Sequence, residues 1–205
     1  MRDQKRFDRL KQMFYAPLVS HSLRRSARRA RARLRHFASN RRGTTAIEFT
    51  ALALPFSLLV FGILESCISF AAQEVLANAT DDVARQLRTG QVLAANVTET
   101  SLKKMICDRI QVVVAKGCPD LVVDLREFAT FEDAAKVKIK FTSDRDLDTT
   151  GFGVTPGKAE TKNMLRVFYK WPIITDFLRS SMSSLKGNKT LHFATTTWQN
   201  EPFND

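Results

Sequence analysis

Clustered metal- and redox-type residues are missing from this sequence. Its three cysteines, Cys67, Cys107 and Cys118, form no CxxC pair. Two of its three histidines, His21 and His36, lie near the N-terminus, so no His/Cys set has metal-ligand spacing. The remaining histidine, His192, falls in a predicted strand without a nucleophile-and-base pattern around it, and reads as structural. No catalytic residue, metal or cofactor is therefore implied, and the chain does not read as an enzyme. An apolar run is also lacking before residue 49, which excludes an ordinary secretory signal start. Acids are almost absent from residues 1–43: Asp3 and Asp8 stand against 14 Lys/Arg, a net +12. The other 162 residues hold 18 Lys/Arg against 19 Asp/Glu, a net −1. The overall +11 thus describes a tail. The body is near neutral, and a nucleic-acid partner is not expected.

What is present is a long apolar stretch. Phe49 to Ala72 contains 24 residues and one charge, Glu65. At about 1.5 Å of rise per residue it can cross a hydrocarbon core about 30 Å thick. Pro55 interrupts it and removes one helical hydrogen bond. The basic tail, with RRSARRARARLR (Arg24 to Arg35) in helical composition, suits an anionic leaflet, so membrane lipid is an expected partner. The positive flank belongs in the cytoplasm, which sends the C-terminal body outward.

Beyond the apolar stretch, Leu76, Ala79, Val83 and Leu87 continue a stripe at helical spacing, and Gly90 is a stop after Arg85 and Arg88. One helix over residues 46–89 is expected. The body reads as α+β, with a small antiparallel sheet packed on that helix. A second helix is expected over 99–116, and strands over Leu121–Phe128, Val137–Phe141, Met164–Trp171 and Leu191–Trp198. A short helix is expected over 173–185 and a long loop over Ser143–Asn163. The organisation is a basic leader (1–43), a long helix membrane-spanning in its first half (44–90), and an outer domain (91–205).

The junction of tail and helix reads Arg41-Arg42-Gly43-Thr44-Thr45-Ala46-Ile47-Glu48-Phe49. A lone carboxylate at a lipid boundary costs about 2.5–3.5 kcal/mol on insertion scales and usually marks function. In type IV pilin-like prepilins, whose processing site this junction resembles, cleavage here would fall after Gly43 and create an ammonium on Thr44, one helical turn from Glu48. Pairing would offset that cost, and if the ammonium belongs to a neighbouring subunit the pair also fixes helix register.

This junction resembles the processing site of type IV pilin-like prepilins, and Glu48-Phe49 resembles the acid–aromatic pair of the Flp/Tad branch. ILESCISFAAQEVLANATDDVARQLRTGQ, Ile63 to Gln91, resembles the TadE-like minor pseudopilins of tight-adherence pili. LVVDLREFATF after Cys107–Cys118, and the closing TWQNEPF, are similar more loosely. The resemblance implies a structural subunit cut between Gly43 and Thr44, with Glu48 and Phe49 as the assembly residues. It implies an inner-membrane protein with a periplasmic body, which is drawn into a pilus or primes one used for attachment. The implied partners are a major pilin, a sister pseudopilin, a prepilin peptidase and an inner-membrane assembly platform.

Secondary features stay open at this level. Glu65 either marks where the helix leaves the bilayer or makes a second inter-subunit contact. Cys107 and Cys118 face an oxidising compartment in this orientation, so a disulfide is expected. Bridged α-carbons stand about 4.4–6.8 Å apart, so the second helix must then end early or its loop fold back. Cys67 is expected to be free. Asp144 to Gly151 has the acids of a calcium loop, but Thr149 and Thr155 replace its Gly and Glu, so it reads as a solvated loop. Ala77-Asn78-Ala79 is a weak signal-peptidase pattern. Other readings are an uncleaved single-pass scaffold or adaptor, and a tethered nucleic-acid or lipid binder using the arginine tail.

Overall fold

The computed structural model describes residues 44–175, 179–180 and 182–204. The leader and Gly43 lie outside the described residues, as do positions 176–178 and 181 of the expected short helix; Arg179, Ser180 and Met182 of that segment are helical.

Helix α1 runs unbroken from Thr44 to Arg88, through Pro55. It is the only described helix long and apolar enough to cross a membrane. Two compact units divide at Phe56/Ser57. In the first, residues 44–56 expose Ile47, Phe49, Leu52, Leu54 and Phe56. In the second, α1 buries one stripe: Gly62, Ser69, Ala72, Leu76, Ala79, Thr80, Val83, Ala84 and Leu87. These positions recur every three or four residues, and most are small, which brings the helix backbone close to its neighbours. Gly90 ends the helix with φ +70°, and the chain reversal lets the Val92 amide donate to the Gln86 carbonyl.

Helix α2, Glu99–Ile110, begins with a reciprocal Thr98/Ser101 capping box. It ends six residues before the expected Lys116. The β-branched run Val112–Val114 follows, and Val113 and Val114 both donate to the Ile110 carbonyl in a tight turn. Cys118, at φ +48°, turns the chain back so that its α-carbon lies 5.8 Å from that of Cys107, and the two form a disulfide. The early end of α2 is what the bridge required.

The sheet has the order β2-β1-β3-β4. Strands β1 (Leu121–Phe128), β3 (Lys162–Pro172) and β4 (Lys189–Gln199) fall where the alternating sequence puts them. They pair antiparallel over long registers, with Asp124 opposite Arg166 and Val167 opposite Ala194. The expectation of a purely antiparallel sheet is corrected: Val154–Thr155 forms a short β2 parallel to β1, so the sheet is mixed. β2 arises where the long loop returns to the β1 edge and the Leu125 amide donates to the Gly153 carbonyl.

Val137–Phe141 is not a strand of the sheet. A short helix α3, Phe131–Ala135, capped by Thr130, precedes it, and its last turn takes the Val137 amide. Of the alternating residues only Phe141 pairs, through one bridge to Leu147. The segment pairs with no strand of the sheet, and the alternation serves a side loop instead.

One core joins these parts. Leu76, Val83 and Leu87 of α1 meet Leu102, Ile106 and Ile110 of α2, over Leu125, Leu165, Val167 and Trp198 of the sheet. Each large side chain fully buried here contributes about 1.5–3 kcal/mol. The opposite sheet face carries Asp124, Arg166 and Phe168 beneath the 129–153 segment, where Phe152 stacks on Phe168 at 5.4 Å.

Candidate functional site

Thr44 is the first residue of α1, and Glu48 follows one turn later. Both are exposed, with Phe49 and Ile47 also turned outward. Glu48 makes no hydrogen bond or ion pair among the described residues. Nearby, the Thr50 hydroxyl donates back to the Ala46 carbonyl at 2.8 Å, so it places no demand on Glu48. The start of the helix therefore presents a carboxylate set in an apolar rod, with no partner among the described residues to neutralise it.

Farther along, a polar seam sits within the buried stripe. Glu65 accepts the Ile174 amide at 2.6 Å on Oε1 and the Thr175 amide at 3.0 Å on Oε2. Beside the two expectations for Glu65 the structure adds a role within the fold: it holds the chain just after β3. Pro172 ends that strand, leaving the following amides without ladder partners, and the carboxylate supplies acceptors for two of them.

Ser69 Oγ and His192 Nε2 share a hydrogen bond of 3.0 Å, in the direction the imidazole tautomer sets. His192 also stacks on Trp171 at 5.3 Å. Burial pushes its pKa down to about 4, so the ring is neutral at pH 7. The structural reading of His192 holds. Gln73 then pairs with both backbone groups of Phe193: its Nε2 donates to the carbonyl at 2.8 Å, and its Oε1 accepts the amide at 3.2 Å. It thereby covers part of the free edge of β4. Higher still, the Thr196 hydroxyl donates to Asp81 at 2.5 Å.

Of these seam residues Ser69 and Gln73, and the link between Glu65, His192 and the strands, escaped the sequence reading, although a signal existed. Glu65, Ser69 and Gln73 lie four apart, on the line that Leu76, Thr80 and Val83 continue. Polar residues on a buried stripe need partners, and the partners proved to be strand ends and a histidine.

A second cluster ties the far end of α1 to the closing residues. The Glu201 amide donates to the Arg88 carbonyl at 2.9 Å, and the Glu201 carboxylate lies 3.4 Å from Arg88 Nε. A Cβ added at Gly90 would stand 2.6 Å from the Phe203 ring. Asn200 accepts from Trp198 Nε1 and donates to the Gly157 and Lys158 carbonyls. So the TGQ that ends the helical resemblance and the NEPF near the C-terminus occupy one place.

The span of the first 18 helix residues and the seam above it now bear on a comparison. Residues 43–85 match the TadE-like protein family model. The TadE-like segment is about a fifth of the chain and covers the junction, the bare helix and the seam as far as Arg85. The family is a structural, pilus-associated one, and the match points to association with a Tad pilus. A helix able to span a membrane accords with a membrane-anchored protein. No curated protein and no solved structure significantly matches the chain.

Among the expected site residues, Glu48, Phe49 and Thr44 are together at the helix start, while Gly43 lies outside the described residues. Cys107 and Cys118 are bridged, and Cys67 is free and exposed. The acids of the 144–151 segment are engaged: Asp146 lies 2.6 Å from Lys170, Asp144 3.5 Å from Lys186, and Asp148 accepts the Thr150 amide. The hydrogen bond from Lys170 holds Asp146 below the ordinary carboxylate range.

Proposed function

We propose that this chain is a minor pseudopilin of a tight-adherence pilus, cut between Gly43 and Thr44 by a prepilin peptidase on the cytoplasmic side. It is anchored in the inner membrane by the first part of α1, with its α+β body in the periplasm. From there it enters the fibre or primes its assembly, together with a major pilin, a sister pseudopilin and the membrane platform.

The observation that carries this reading is Glu48, without a partner among the described residues, at the start of an exposed apolar rod inside the segment that matches the TadE-like family. Residues 44–61 are exposed apart from the half-buried Ala53 and Val60, and from Gly62 one face is buried. These eighteen residues span about 27 Å, close to a bilayer's apolar thickness. The new Thr44 ammonium of one subunit and Glu48 of the next would then be two charges that neutralise each other at the lipid boundary.

N-terminal sequencing of the protein extracted from membranes tests the cut. A chain beginning at Thr44 is expected. A chain retaining Met1 would reduce the protein to a tethered scaffold. Glu48→Ala tests assembly: membrane insertion is expected to persist while the protein disappears from sheared pili and from crosslinks to its partners. Normal incorporation would refute the role given to Glu48.

A further inference from the structure

The sheet face turned away from α1 holds an uncommon arrangement of charge. Asp124 is fully buried on β1 and accepts from two guanidinium groups at once. Arg166 donates from Nε at 2.9 Å and from Nη2 at 2.6 Å, and Arg126 donates from Nε at 3.2 Å. The Gly153 amide donates to the other oxygen at 3.0 Å. One carboxylate thus serves two full positive charges, and its acceptor sites are taken.

Arg166 is itself 2% exposed, and its Nη1 is buried without a hydrogen-bond partner among the described residues. Its guanidinium lies 4.8 Å from the Phe152 ring and 5.6 Å from the Phe168 ring. Buried donors in native proteins nearly always have acceptors, so this group calls for one.

Above these arginines lies a cleft of about 350 Å³ between the sheet and the returning loop. Arg126, Arg166, Lys136, Lys138 and Lys140 line it, and Asp148 is the one acid among its described lining residues. Lys136 is paired with Glu132 at 2.7 Å. Lys138 and Lys140 are exposed and make no ion pair among the described residues. The alternation VKIKF, which built no main-sheet strand, instead sets two lysines beside the cleft. Asp148 offsets Lys140 in part, yet the near-neutral body gathers a net positive charge in one concave place, floored by planar guanidinium groups suited to oxyanions.

We propose that this cleft binds a compact oxyanion of at least two negative charges, a phosphoryl group or a cluster of carboxylates, held by Arg126, Arg166, Lys138 and Lys140. The site stands whether or not the chain is cut at Gly43.

Calorimetric titration of the full-length protein in neutral detergent at low ionic strength tests it, with inorganic pyrophosphate and with citrate as probes. The control is the double variant Lys138→Gln/Lys140→Gln, whose changes lie at exposed positions and leave the basic tail intact. The expected result is saturable one-to-one binding of at least one probe, weakened about tenfold or more in the variant and by added salt. Binding of pyrophosphate alone identifies phosphoryl chemistry, and binding of citrate alone identifies carboxylates. Two results overturn the proposal. One is no saturable binding of either probe up to about 10 mM. The other is equal binding by wild type and variant, which assigns the anions to the tail. Matching far-UV circular dichroism and melting of the two proteins establishes that any loss is one of binding.

Discussion

Glu65 shows how one exceptional side chain can take on a role within the fold beyond those the sequence suggests. An acid in an apolar helix needs a partner, and here two backbone amides just beyond β3 supply it. Its removal leaves those amides without acceptors, at a cost of about 1–3 kcal/mol. Glu65→Ala is therefore expected to lower the melting temperature and to speed hydrogen exchange at Ile174 and Thr175 selectively. Unchanged exchange at those two amides would show that the contact does not hold the segment. His192 makes a separate prediction through pH. Its folded pKa is depressed to about 4, against about 6.5 when unfolded. Between these values the unfolded chain binds the proton first, so stability falls as pH drops from about 6.5 to 4 and is fully present above that window. The loss is roughly 3 kcal/mol. Thermal melts of wild type and His192→Phe across that range check it, the variant giving the flatter profile.

At the scale of elements, the disulfide closes a loop of 11 residues between α2 and the start of β1. A loop of this size is worth about 3 kcal/mol by the chain-entropy account. Reduction is expected to lower the unfolding midpoint accordingly without removing α2, whose capping box and buried Leu102 and Ile106 precede the bridged loop. Denaturant titrations with and without reductant measure the difference, and loss of α2 helicity on reduction would contradict it. Elements whose signal is local were legible in the sequence. The α1 stripe, the Gly90 stop and the alternating β1, β3 and β4 all carry their period in adjacent residues. What was not legible depends on distant chain. Val154–Thr155 is a strand only because the β1 edge is free to receive it. Val137–Phe141 alternates as a strand does, yet finds no edge. Asp124 and Arg166 look like ordinary outward charges until register sets them face to face beneath the 129–153 segment. At the candidate site, Glu48 stood out by its surroundings, whereas the seam needed the positions of Ile174, His192 and Phe193.

For the whole molecule, the seam limits where a bilayer can lie. Residues from Gly62 onward are covered on one side by the body, yet Ile63, Leu64, Ile68 and Phe70 still face outward. With the first 18 helix residues in lipid, Cys67 stands about 9 Å beyond the last of them, at the outer margin. As the one free thiol, it is a natural probe. In spheroplasts, a membrane-impermeant maleimide is expected to label Cys67 before assembly and to lose access once neighbouring helices cover that face. Labelling only by a permeant reagent would place the boundary higher or reverse the orientation. The seam also has a consequence for timing. Ser69, Gln73 and Asp81 meet partners that follow them by 115–123 positions along the chain. As the chain is made, the inner stripe of the helix emerges long before β4 does. Until that strand follows, the helix offers small residues and unmet polar groups to whatever is nearby, so any binding protein has its best opportunity during this interval.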